Sequence, residues 1–156
     1  MQIEILQLPS IVEPKILSVD KKILKEKSLN MVLEIVQDDL KFVFKINGNQ
    51  KTFFIPYKFQ YDSASIPRGL SIFALTTEKA YIVSGLIHDY LYRNLLDTKD
   101  VSRKEADLIF KIVLKYLLQK EEYNKIYTFI VPQIAYLSVK FLASKYFKKI
   151  NTLNLI

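Results

Sequence analysis

The chain of 156 residues contains no cysteine, only one histidine and only three glycines. Without cysteine there is no disulfide, no thiolate metal site and no cysteine nucleophile. The single histidine, His88, excludes a metal centre built from several histidines. Few glycines and prolines, with 50% hydrophobic residues, are typical of a folded protein and not of a disordered one. The chain is long enough to bury a core as one domain.

Arginine is also scarce, although the chain is basic. The net charge is +7, and the only arginines are Arg68, Arg93 and Arg103. A basic composition can favour binding to nucleic acid or to an anionic lipid surface. A lysine-rich surface that contacts only solvent has the same composition. Because arginine is the preferred residue for contacts with phosphates and bases, we expect no nucleic-acid partner.

Long apolar runs are missing as well. The N-terminus, MQIEILQLPS, lacks the basic start and apolar core of a signal peptide. The longest uncharged run near the C-terminus covers fourteen residues, 126–139, and contains Pro132. A bilayer span needs roughly 18–20 residues, so we expect no transmembrane helix and a protein made in a cytoplasm.

The N-terminal third predicts a small antiparallel sheet. We expect an arm or short elements over residues 1–30 and sheet over residues 31–61. Within residues 40–46, Leu and Phe alternate with Lys and Val, which is the period of a strand. Asn-Gly at 47–48 predicts a hairpin turn, since both central positions of that turn need positive φ. Pro56 predicts the end or the edge of the returning strand.

Helical spacing replaces this alternation over residues 76–149. Thr76 or Thr77 is the expected N-cap of a first helix, and Ser102 with Glu105 predicts a capping box at the start of a second. One further helix, or two separated by Pro132, covers about 121–149. The predicted fold class is α+β: a small antiparallel sheet followed by three or four packed helices, in a single domain over residues 31–150.

The only histidine lies in the first of these helices, in the sequence His88-Asp89-x-x-Tyr92. His88 and Tyr92 are four residues apart and share a helix face. Asp107 lies on the next helix and can face His88 if the two helices pack antiparallel. A carboxylate on one ring nitrogen fixes the tautomer and leaves the other nitrogen free to take a proton. The alternative is a structural histidine in the core whose ring nitrogens have hydrogen-bond partners, although burial of Asp89 without partners would be costly.

The loop DSASIPRG, at residues 62–69, is the second unusual stretch. Asp62 could cap a helix, bind a cation or pair with Arg68. Ser65 could be a nucleophile, but the chain has no G-x-S-x-G signature around it. The alternative is an Asx or serine turn in which Pro67 fixes the direction of the chain.

Three blocks in this order resemble an uncharacterised domain family of bacteriophages and prophages. The family pattern is P-x-x-F-x-x-D-x-A-S-[IV]-P-R, then H-D-x-L-Y, then R-x-x-A-D-x-x-F. Here the blocks are residues 56–68, 88–92 and 103–110, and the resemblance spans about residues 53–117. That family has no established activity. The resemblance implies a phage origin, a location in the host cytoplasm or the virion, and a phage or host protein as partner.

A further resemblance concerns chemistry. His-Asp-x-x-Tyr followed by Ala-Asp-x-x-Phe is similar to the phospholipase A(2)-like domain of parvovirus capsid proteins. This similarity implies that His88 is the general base, that Asp89 binds calcium, and that Asp107, held by Tyr92, orients the histidine. The glycine-rich loop that completes the calcium shell in those enzymes has no counterpart here, and Asp62 is the candidate to replace it.

Two functional hypotheses result. The first is a non-catalytic phage protein, either a virion or tail component or an inhibitor of a host factor. In it His88, Asp89, Asp107 and Arg103 form a buried polar network that locks the helices onto the 62–68 loop. The second is a phospholipase-like ester hydrolase with a His88–Asp107 dyad, with calcium at Asp89 as its only expected cofactor. The lysine cluster at residues 140–149 would then suit an anionic membrane surface.

Overall fold

The computed structural model describes residues 1–9, 12, 14–18, 21–22, 32–35, 40–62, 78–93 and 100–150, with the side chains of the last helix described up to residue 141. The chain divides into two compact units, Met1–Ser65 and Ile66–Ile156. Strands occupy the first unit and three long helices the second, which is the α+β order expected from the sequence. The single domain expected over residues 31–150 stays a prediction.

The described residues of the first unit contain six strands. They are β1 (Ile3–Gln7), β2 (Pro14–Leu17), β3 (Val32–Ile35), β4 (Leu40–Ile46), β5 (Asn49–Ile55) and β6 (Gln60–Asp62). They pair in the orders β1-β4-β5 and β2-β3-β6, and every pairing is antiparallel. The expected antiparallel sheet is therefore present as two three-stranded sheets. Each sheet takes one strand from the first 30 residues, for which we expected an arm or short elements.

The β4–β5 hairpin follows the sequence pattern closely. Ile46 pairs with Asn49, so Asn47 and Gly48 form a two-residue loop with φ values of 50° and 88°, as this type of turn requires. Phe42 lies at the centre of the buried face, with ring centroids 5.5 Å from Phe44 and 5.2 Å from Phe53. β5 ends immediately before Pro56, as the proline predicts.

The second unit contains three described helices, α1 (Glu78–Tyr92), α2 (Arg103–Lys120) and α3 (Lys125–Ile150). The capping box of α2 is confirmed: Ser102 Oγ accepts from the backbone of Glu105 (3.2 Å), and Glu105 accepts from the backbone of Ser102 (2.7 Å). The expected caps at residues 76 and 77 lie outside the described residues. No helix in the described part of the chain is long and apolar enough to cross a membrane.

Pro132 lies inside α3 and does not divide it into two helices. The proline lacks the N–H that would bond to the carbonyl of Thr128. Val131 and Ala135, on either side of it, belong to the buried cluster that α3 shares with α2. Burial of apolar side chains contributes about 0.8 kcal/mol per CH₂ group, which acts against the loss of one backbone hydrogen bond.

α2 is the central helix, because it packs against both α1 and α3. The shared core has the buried members Ala80, Tyr81, Phe110, Leu114, Leu118, Val131 and Ala135. This packing places the first turns of α2, which carry Arg103 and Asp107, beside the last turns of α1, which carry the histidine motif.

Candidate functional site

The histidine motif is buried in the last two turns of α1. His88 is 4% exposed, and Asp89 and Tyr92 are buried as well. The rings of His88 and Tyr92 lie one helical turn apart, with centroids separated by 4.0 Å. Asp89 points about 100° away round the helix axis. The two aromatic rings therefore share one face of α1, as their spacing predicts.

Asp107 of α2 faces both rings. Its Oδ1 lies 3.1 Å from His88 Nε2, and Tyr92 donates its hydroxyl proton to the same oxygen. Asp107 is itself 4% exposed, so water has little access to this cluster. The expected contact of His88 and Tyr92 with Asp107 is present. The catalytic roles assigned to these residues stay predictions.

The other ring nitrogen of His88 faces Asp89. Nδ1 lies 3.7 Å from Asp89 Oδ1, which is longer than a hydrogen bond but close enough for a strong interaction between charges. Phe110 of α2 packs against the ring, with centroids 5.2 Å apart. The imidazole is thus enclosed by one carboxyl group at each nitrogen and by aromatic rings beside it.

Arg103 connects this cluster to the third helix. Its Nε donates to the hydroxyl of Tyr92 (3.3 Å) and lies 3.9 Å from Asp107 Oδ2. Its Nη2 donates to the backbone carbonyl of Lys140 in α3 (3.0 Å). One guanidinium therefore joins all three helices. The motif singled out Arg103, but a backbone acceptor such as the Lys140 carbonyl leaves no signal in the sequence.

The proton affinities of the site follow from this enclosure. Burial lowers the pKa of His88, but the hydrogen bond to Asp107 and the charges of both carboxyl groups outweigh burial, so the pKa lies above the ordinary 6.5. Burial and Asp107 raise the pKa of Tyr92, and Arg103 opposes them only in part. The imidazole therefore binds its second proton more tightly than a free histidine does, and Tyr92 keeps the proton that it donates.

The remaining candidate residues belong to the 62–68 loop. Ser65 and Arg68 lie outside the described residues. Asp62 ends β6 and pairs with Val32, but its side chain is also outside the described part. Its expected approach to α1 or to Arg103 therefore stays a prediction.

A calcium site at Asp89 also stays a prediction. Among the described residues no three or more His, Asp or Glu side chains are grouped so that they could hold a metal ion. Calcium takes about six to eight oxygen ligands, and Asp89 supplies two at most. The described side chains do not form a calcium site by themselves.

Most of the chain matches the model of one protein family. A family model described as "Protein of unknown function (DUF1353)" matches residues 36–129. The chain belongs to the DUF1353 family. The matched region of this DUF1353 protein contains every side chain of the polar cluster: His88, Asp89, Tyr92, Arg103 and Asp107.

Comparison with curated proteins and with solved structures gives no match. Membership of DUF1353 agrees with the expected relationship to an uncharacterised family and assigns no activity. Nothing in these comparisons shows a phage origin or a relationship to phospholipases, so both stay predictions.

Proposed function

We propose that this DUF1353 protein is non-catalytic and that the His88 network holds its three helices in a single arrangement. In the context that the sequence resemblance implies, it acts as a virion or tail component or as an inhibitor of a host factor. The observation that carries the proposal is the enclosure of His88, which is 4% exposed and has a carboxyl group facing each ring nitrogen.

This enclosure is unfavourable for a general base. A base must reach the proton that it abstracts and must be unprotonated at the working pH. The pKa of His88 lies above its ordinary value, which makes the unprotonated form less available than in a free histidine, and both nitrogens face residues of the protein. A histidine held between two carboxyl groups contributes to the packing of α1 on α2 instead.

The network also specifies the register of the two helices. Asp107 is the hydrogen-bond partner of both His88 and Tyr92. A slip of α2 by one turn would bring Arg103 or Lys111 to the position of Asp107, and a cation would then face the imidazole. Because an unpaired buried charge costs several kcal/mol, on the order of 3–5, only the observed register satisfies the cluster.

The ester hydrolase remains a second candidate because of one geometric feature. Asp107 holds Nε2 of His88 and is itself held by Tyr92, while Nδ1 lies 3.7 Å from Asp89 and makes no direct hydrogen bond there. That is the arrangement of an oriented base. A calcium ion at Asp89 would supply positive charge, which lowers the pKa of a neighbouring imidazole.

A thermal melt of wild type and His88→Ala, each with calcium and with a chelator, separates the two functions. The proposal predicts that His88→Ala loses about 1–3 kcal/mol, because buried carboxyl groups lose their partner, and that calcium changes neither melting temperature. The hydrolase predicts an intact fold, calcium-dependent stabilisation by mass action, and loss of ester turnover by about 10²–10⁴.

Ser84→Ala is the matched control. Ser84 is buried on the same helix, and its partners among the described residues are carbonyls of α1 itself, the nearer being Ala80 O at 2.7 Å. We expect it to cost less than His88→Ala. Turnover of phosphatidylglycerol vesicles or of a nitrophenyl ester by the wild type, with loss in His88→Ala, would overturn the non-catalytic proposal.

A further inference from the structure

α3 is apolar on the face that does not pack against α2. Five large apolar side chains point outward from it: Ile126, Phe129, Ile130, Leu137 and Phe141. Their spacing places them on one side of the helix, opposite Val131 and Ala135 in the core. Phe129 is 63% exposed and Phe141 is 67% exposed. These five residues are referred to below as the outer face of α3.

The charge of this helix has a single sign. Residues 125–150 contain five lysines and no aspartate or glutamate. Lys125 and Lys140 are exposed, and Lys140 Nζ lies 5.8 Å from the ring centroid of Phe141. Positive charge and exposed apolar side chains therefore occur together, and a complementary partner is anionic on its surface and apolar beneath it.

Other partners fit these observations less well. A second copy of the chain would bring the lysines of two α3 helices close together, where like charges repel. Single-stranded nucleic acid is bound by stacked aromatic side chains with arginine support. Three of the five outer-face side chains are aliphatic, and α3 contains no arginine.

We propose that the outer face of α3 binds the surface of an anionic lipid bilayer. α3 has 26 residues, which corresponds to about 39 Å of helix lying along the surface. The apolar side chains reach the boundary between headgroups and acyl chains, and the lysines contact lipid phosphates, as in interfacial helices. This interaction requires no catalysis and does not depend on the role of His88.

The absence of tryptophan from the chain permits a direct test. Phe129→Trp in the full chain introduces a single tryptophan on the outer face. We expect its emission to shift to the blue and to gain intensity with vesicles of phosphatidylcholine and phosphatidylglycerol, and to stay unchanged with phosphatidylcholine alone. Phe54→Trp, at an exposed phenylalanine of β5, is the control and should show no shift.

Co-sedimentation with the same vesicles measures affinity. Phe129→Ser with Phe141→Ser should weaken binding at least about ten-fold, because neither side chain would then bury apolar surface in the bilayer. Lys140→Glu should weaken it more than Lys115→Glu, which makes the same charge change on an exposed residue of α2. Raising salt from about 0.1 M to 1 M shortens the Debye length from about 10 Å to 3 Å and should reduce wild-type binding.

Three results would overturn the proposal. One is the absence of any spectral shift or sedimentation with anionic vesicles. Another is equal binding by wild type and the outer-face variants whose circular dichroism shows a folded chain. The third is a dimer, or a complex with single-stranded oligonucleotide, that needs the outer face while vesicles do not bind.

Discussion

The hydroxyl of Tyr92 offers a quantitative test of the polar network. It donates to Asp107 and accepts from Arg103 Nε. Tyr81 lies on the same helix and is also buried, but its hydroxyl has no hydrogen-bond partner among the described residues. Burial raises the pKa of Tyr81 to about 12, so the group is neutral in ordinary buffers. Tyr92→Phe and Tyr81→Phe therefore each remove one buried hydroxyl from α1. The first hydroxyl is hydrogen-bonded, and the second has no partner among the described residues.

The two substitutions should change the free energy of unfolding differently: Tyr92→Phe should lower it, and Tyr81→Phe should leave it unchanged or raise it slightly. A hydrogen bond to a charged group contributes about 1.5–3 kcal/mol. Asp107 keeps His88 as a partner after Tyr92→Phe, so we expect a loss within that range and not a full desolvation penalty. Tyr81→Phe removes a desolvated hydroxyl that has no hydrogen-bond partner in the described part of the chain, and it should leave stability unchanged or raise it by up to about 1 kcal/mol.

Urea unfolding followed by far-ultraviolet circular dichroism measures both free energies. The signal reports chiefly on the three helices of the second unit. The dependence of the unfolding free energy on urea should be the same in all three proteins, which permits comparison of their midpoints. Equal midpoints for the two variants, or a larger loss for Tyr81→Phe, would refute the claim that the Tyr92 hydroxyl stabilises the network.

Three further predictions concern the histidine, a helix cap and a turn. His88 gives the only histidine signal in a proton NMR titration, and its pKa should lie above 6.5; a lower value contradicts the network. The corresponding stabilisation is complete below the unfolded pKa of about 6.5 and is lost as pH rises through the folded pKa, so the stability advantage of wild type over His88→Gln should shrink above pH 6.5. Ser102→Ala removes the α2 cap and should cost about 0.5–2 kcal/mol in urea unfolding, whereas Ser102→Gly should cost only a few tenths. A Cβ atom added at Gly48 would meet no atom within 4 Å, but the residue has φ +88°. Gly48→Ala should therefore lower stability by about 1 kcal/mol through backbone strain alone. An unchanged melting temperature would contradict this.

Features that depend on near neighbours in sequence were predictable. The Asn47-Gly48 turn, the end of β5 before Pro56 and the Ser102–Glu105 capping box involve residues at most a few positions apart. Their conformations follow from backbone sterics and local hydrogen bonds. The shared face of His88 and Tyr92 belongs to the same group, because helix geometry alone brings residues four apart together.

Part of the candidate site also followed from the sequence. The contact of His88 with Asp107 needed one assumption beyond local geometry, namely that α1 and α2 pack antiparallel across a short connection. The structure has this contact. The sequence could not assign the acceptor of Arg103, because the Lys140 carbonyl lies 37 residues away and every residue has a backbone carbonyl.

The sequence by itself determined the α+β order, the local turns and caps, and the face of α1 that carries the histidine motif. Tertiary structure alone decided that the strands form two sheets with β1 and β2 as members, that α3 continues through Pro132, and that His88 is buried with a carboxyl group facing each ring nitrogen. The physical reason is that strand pairing and burial depend on residues distant in sequence. Periodicity shows that a helix is apolar, and only packing decides which of its apolar faces is covered.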